Sequence, residues 1–222
     1  ARAEGADTTH FSILDNDGNR VAATLSINYP FGSGFVPPGT GVLLNDEMDD
    51  FAARPGVPNA YGLIGGDANA IAPGKRMLSS MSPTFIESDG EVVILGTPGG
   101  SRIITMVLEG ILAATGLDPI AGGGAQDWVA AGRFHHQYLP DEVVTEPDAL
   151  SPAVRRSLER RGHRLSTAER PYGNMQLVRW RRAQRQVEAA SDPRGIGAAA
   201  VIEAAPGTAV SNYHRLTPKH SH

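Results

Sequence analysis

The chain has 222 residues, enough for one domain with a real core, and its 41% apolar and 20% charged residues exclude intrinsic disorder and fibrous architecture. It contains no cysteine, which removes disulfides, thiolate metal sites and cysteine nucleophiles, and no run of about 18 apolar residues that could span a membrane. The net charge of −4 divides into −12 over residues 1–150 and +8 over residues 151–222, but the basic stretches carry no clustered aromatics for base stacking, so nucleic-acid binding is not read.

The first residues, ARAEGADTTHF, show no basic stretch followed by an apolar one, so no export signal is read in them. HFSILDNDGNRVAATLSIN alternates around Asp17-Gly18 and predicts a β-hairpin. DNDGN also looks like the start of a calcium loop, but Arg20 stands where that loop needs glycine and Ser26 where it needs glutamate. GSGFVPPGT predicts an irregular loop, VLLND a short buried strand, and PGVPNAYGLIGG (55–66) a loop too rich in Gly and Pro for any regular element. A second hairpin, SPTFIESDGEVVILG, turns at Asp89-Gly90 and leads to a helix from about Ser101 to Thr115, apolar all round and therefore expected to be buried.

After a glycine-rich linker, AGGGAQDW, a helix near Trp128 to Gly132 is expected before RFHHQ. His135 and His136 are neighbours on that strand, point to opposite faces and cannot share one ion, so packing is their expected role. Residues 152–162 predict an amphipathic helix with Ser151 as its N-cap, and MQLVRWRRAQRQVEAASD two strands around a turn. Strand pairs flanking a buried helix suggest sheets stacked under helices, with no internal repeat.

No GxxxxGKS/T, GxSxG, HExxH or strand-linked GxGxxG is present. Taken alone, DTTHFS is a strand start, and Asp46, Glu47, Asp49 and Asp50 are a solvated acidic turn or a hard-cation site. Taken together and in order, DTTHFS, SINYPFGSG, GVLLNDEMDDF, PGVPNAYGLIGGDANA, KRMLSSMSPT and GTPGGSR resemble the small catalytic subunit of γ-glutamyltranspeptidases, from about Asp7 through Arg194.

The resemblance implies an α+β fold, a four-layer αββα sandwich of the N-terminal-nucleophile hydrolase type, completed by a separate large subunit from the same precursor. Residues 1–7 would be a precursor segment and residues 8–222 the small catalytic subunit, after autoproteolysis at Asp7-Thr8. Thr8 would then attack with its hydroxyl while its freed α-amine serves as base. The resemblance places Ser26 against the nucleophile and gives Gly99 and Gly100 the oxyanion donors. It gives Ser79 and Ser80 the substrate α-carboxylate, Glu47 and Asp50 the α-ammonium, and Asn28 a share of the same head group. Residues 55–66 would be a lid loop carrying Tyr61.

The activity implied is cleavage of the γ-glutamyl amide of glutathione and related compounds through a γ-glutamyl-threonyl ester, with transfer to water, an amino acid or a peptide. Alternatives are a cephalosporin or glutaryl acylase, or a maturation-deficient binding homologue. No metal and no cofactor is implied, and export to the periplasm or medium is expected. The sequence departs from the family pattern at AGGGAQDWVAAG, which touches no catalytic position.

Overall fold

The computed structural model describes residues 8–59, 62–117 and 123–202; residues 1–7 and Tyr61, both invoked above, lie outside the described residues. In chain order the elements are β1 (Thr9–Leu14), β2 (Arg20–Leu25), β3 (Thr84–Glu87), β4 (Glu91–Gly96), α1 (Ile103–Ala114) and α2 (Ala125–Ala130). They continue with β5 (Phe134–Gln137), β6 (Glu142–Thr145), α3 (Pro152–Arg160), β7 (Leu165–Thr167), β8 (Gln176–Arg181) and β9 (Gln186–Ser191). β1 and β2 pair alone, β3-β4-β8-β9 form an antiparallel sheet, and β5-β6-β7 form a third sheet in which β6 and β7 run parallel. The described residues are thus of the α+β class.

The first hairpin turns where Asp-Gly predicts it. Asp15 accepts the backbone N–H groups of Asp17 and Asn19 at 2.9 and 2.8 Å, and Gly18 takes φ +83°. The aspartates of DNDGN therefore build a turn.

From Val92 to Leu95 β4 is apolar without a break because both its faces are covered. Val93 and Leu95, with Leu177 of β8 and Ala190 of β9, pack against Ile103, Met106, Val107, Trp128 and Val129 of the two helices. Val92 and Ile94, with Val178 and Ala189, pack against Leu14 and Ala22 of the first hairpin. Each fully buried Val, Leu, Ile or Met among these contributes about 1.5–3 kcal/mol. Helices, four-stranded sheet and hairpin make three layers. On the hairpin's outer side Phe11, Ile13, Val21 and Leu25 are 41–50% exposed, as a period of two requires once Leu14 and Ala22 point inward.

Three expectations need correction. VLLND is neither a strand nor buried: Leu44 exchanges backbone hydrogen bonds with Ser33 and Phe35 of the preceding loop, and Val42 and Leu44 are exposed. The helix after the second hairpin forms, but Ile104 and Leu108 on its outer face are exposed. The expected linker AGGGAQDW ends inside α2, which starts earlier than predicted because the Asp127 carboxylate accepts the Gly124 N–H at 3.3 Å. α3 ends two residues sooner than expected and keeps its cap, with Ser151 Oγ accepting the Val154 N–H at 3.3 Å. As strand alternation predicts, His135 is buried and His136 exposed.

Candidate active site

Thr8 stands one step before the ladder pair Thr9↔Leu25, which puts its side chain opposite Ser26. The two hydroxyls are 2.9 Å apart. Ser26 Oγ also accepts the Asn28 N–H at 2.9 Å. That fixed donor occupies one lone pair and limits the orientations open to the Ser26 hydroxyl, and through it to Thr8.

Asn28 is buried and left-handed at φ +69°, a conformation asparagine tolerates better than most residues. Its side-chain amide donates to the Asp46 carbonyl at 3.3 Å, and the Tyr29 N–H donates to the Asp46 carboxylate at 3.0 Å. Asp46 therefore ties the end of the hairpin to the short 3-10 helix Glu47–Asp50 that follows.

The result is a cleft lined by Thr8, Ser26, Asn28, Glu47, Asp50, Ser79, Ser80 and Gly100. Eight of the ten predicted site residues meet there; Gly99 adjoins Gly100, and Tyr61 is outside the described residues. Burial and the carboxylates of Glu47, Asp49 and Asp46 push Asp50 up to about 7. One oxygen of Glu47 is buried with no hydrogen-bond partner among the described residues. No group of three or more His, Asp or Glu among the described residues is placed to hold a metal ion, and a substrate ammonium suits two carboxylates equally well.

Gly99 takes φ +144° and Gly100 φ +56°, conformations that side-chain-bearing residues rarely adopt. A Cβ on Gly99 would lie 2.4 Å from the Met106 methyl. Among the described residues neither glycine's N–H is bonded to a carbonyl. A second cavity of about 400 Å³ opens beside the cleft and shares Asp50, Leu63, Ser80 and Ser101 with it. The described parts of the 55–66 loop fold back on themselves, with Gly56 N–H donating to Gly65 at 2.9 Å and Asn59 N–H to Leu63 at 2.8 Å, and so bring Leu63 to the cleft.

Sequence reasoning passed over Asp46 as a tether, Ser101 as a lining residue and His10. His10 is 5% exposed, and burial pushes its imidazole down to about 4, so it is neutral at physiological pH. It also passed over Arg102, which lies over the ring of buried Tyr172 at 4.3 Å just beyond the glycine turn. No local pattern marks these residues, because each acts across elements distant in sequence.

A hydroxyl at the head of a strand, 2.9 Å from a second hydroxyl and lining one cleft with Gly100 of a glycine turn, supplies the groups that nucleophilic acyl transfer needs. The chain matches the gamma-glutamyltranspeptidase family model over residues 1–202, and it belongs to that family. It is 46% identical over 194 residues to a glutathione hydrolase proenzyme of Escherichia coli K12, covering 87% of this chain and 32% of that protein. It is also 46% identical over 205 residues to one of Pseudomonas aeruginosa, covering 90% and 35%. The chain thus spans about a third of the length of these curated relatives. Its fold matches gamma-glutamyltranspeptidase from Pseudomonas nitroreducens complexed with L-DON, at a TM-score of 0.77 and 46% identity over 88% of this chain and all of that one. An acivicin-inhibited gamma-glutamyltranspeptidase matches at a TM-score of 0.77 and 40% identity, over 85% of this chain and all of the other.

Proposed function

We propose that this chain, completed by the rest of its precursor, carries the nucleophile of a γ-glutamyl transferase and hydrolase acting on glutathione and similar γ-glutamyl amides. The observation that carries the reading is the convergence of Thr8, Ser26, two carboxylates, two serines and a glycine turn on one cleft.

In this reading cleavage of the Asp7-Thr8 bond frees the Thr8 amine. Thr8 Oγ1 attacks the γ-glutamyl carbonyl carbon, and its proton passes to that amine. The carbonyl oxygen becomes an oxyanion that the Gly99 and Gly100 N–H groups receive. The amide C–N bond breaks as the departing amine takes the proton, leaving a γ-glutamyl ester on Thr8. Water or an acceptor amine then attacks the ester, gives a proton to the Thr8 amine, and Thr8 Oγ1 leaves and recovers it. Glu47 and Asp50 face the substrate ammonium, and Ser79, Ser80 and Asn28 the rest of the zwitterionic head. The adjoining cavity gives room for the amine half of the donor or acceptor.

Thr8→Ala, made in the full-length precursor, is expected to leave it uncut and to abolish cleavage of a γ-glutamyl anilide. Normal turnover by this variant sinks the reading. In the wild type the intact mass of the small subunit should begin at Thr8. A glutaryl anilide, which lacks the α-ammonium, should be a far poorer substrate than its γ-glutamyl counterpart; equal rates would favour the acylase alternative.

A further inference from the structure

We infer that His10 is a positioning residue, locking the strand that bears Thr8 onto the strand that leads into the Gly99–Gly100 turn. The inference rests on the reading above, in which Thr8 attacks and those amides receive the oxyanion.

His10 lies two residues beyond Thr8 on the inner face of β1. Its Nδ1 is 2.8 Å from Thr24 Oγ1 on β2, and its Nε2 is 3.1 Å from Ser12 Oγ. Ser12 donates its own hydroxyl proton to the Gln176 carbonyl on β8, at 3.2 Å. Ser12 Oγ must therefore accept from His10 Nε2–H, and the bare Nδ1 of the neutral ring accepts from the Thr24 hydroxyl. One directed chain of hydrogen bonds thus runs from β2 through His10 to β8.

The ring also fills the place of a missing side chain. A Cβ on Gly96 would lie 2.2 Å from His10 Cε1, so the imidazole sits against the end of β4 where only glycine admits it. Gly96 is the register partner of Gln176, the residue that Ser12 holds. Beyond Gly96 the chain has little freedom: Thr97 is fully buried, its hydroxyl donates to the Pro98 carbonyl at 2.8 Å and accepts the Asn174 N–H at 3.2 Å. Gly99 comes next. The distance between nucleophile and oxyanion donors is thereby set through one imidazole, and a misplacement of about 1 Å at such a site can cost on the order of 100-fold in rate.

A histidine that merely filled the core would, when disturbed, change how much enzyme folds without changing the rate of what does fold. The test uses mature full-length enzyme with active sites counted by burst amplitude, so that unfolded material drops out. Thr24→Val removes the hydrogen bond to Nδ1 at nearly constant shape, and kcat is expected to fall about 3- to 10-fold with KM within twofold, as for an interaction that matters only at the transition state. Thr24→Ser should restore it. Gly96→Ala should cost more, about 10- to 100-fold in kcat, because its methyl displaces the ring. The pair His10→Ala with Gly96→Ala should lose less than the product of the single losses, since the absent ring vacates that space. Unchanged kcat per active site in both Thr24→Val and Gly96→Ala, or losses confined to KM, would overturn the role. Thr8→Ala separates the two ideas: activity there defeats the nucleophile reading, whereas its inactivity beside a full kcat in the Thr24 and Gly96 variants defeats only the positioning.

Discussion

Asp50 is a carboxyl whose surroundings discourage its charge. It is half-buried, and Glu47, Asp49 and Asp46 crowd it, so its pKa rises from the ordinary carboxylate range to about 7. The raised value means that the free cleft keeps a proton on this pair as pH falls below about 7, and the folding stability owed to the protonated form is lost as pH rises through that value. An arriving ammonium reverses the preference, because it favours the charged form. Binding of the head group should therefore expel a proton below about pH 7. The inhibition constant of L-glutamate, which carries the same head, should tighten as pH rises from 5.5 to 7.5, by up to about tenfold per unit on the acid side. Asp50→Asn should weaken binding and flatten that dependence. A profile in the variant as steep as in the wild type would assign the titration to another group.

At the scale of elements, the turn between β4 and α1 is the most constrained part of the site. Gly99 needs its φ of +144° whatever Met106 does, so relieving the methyl contact cannot make alanine fit. Gly99→Ala is expected to lower kcat by about 100-fold or more while the small subunit still folds, which rate and circular dichroism measured together would check. An alanine variant with full kcat would remove this amide from the reaction. Elements like this one were legible where the chemistry is local. Asp17-Gly18 and Asp89-Gly90 mark their hairpins through turn geometry, Ser151 its helix through a cap, and the unbroken apolar run of β4 its double burial. VLLND misled because its three apolar residues carry no period, and here they pair with a loop. β6 and β7, of four and three residues, went unseen because a parallel pairing across α3 leaves no trace in either segment. The site residues were legible through motifs in a fixed order. The links among them, Asp46 to Asn28 and His10 to Gly96, arise only when distant segments fold together.

For the whole molecule, two features point in opposite directions. Inside, Asp192 bonds Arg133 and Arg194, and Arg194 bonds Glu146, so the end of β9 is tied to the chain entering β5 and to the residue after β6. Each of these four charges has a partner, and the third sheet is held to the second through them. Outside, the first hairpin has a finished inner face and an unfinished outer one. Phe11, Ile13, Val21 and Leu25 form an apolar patch on β1 and β2, and a sheet face of this kind calls for another layer to cover it. This chain spans about a third of its curated relatives, and in the proposed reading the rest of the precursor would cover that face. Produced alone, the chain should bind a hydrophobic dye and self-associate, and Ile13→Ser with Leu25→Ser should reduce both. In the full precursor the same two changes should instead impair assembly and, because β1 and β2 carry Thr8 and Ser26 at their ends, impair maturation with it. If the double variant matures and assembles as the wild type does, the outer face of the hairpin is not the contact, and the covering layer must be sought on the exposed side of α1, at Ile104 and Leu108.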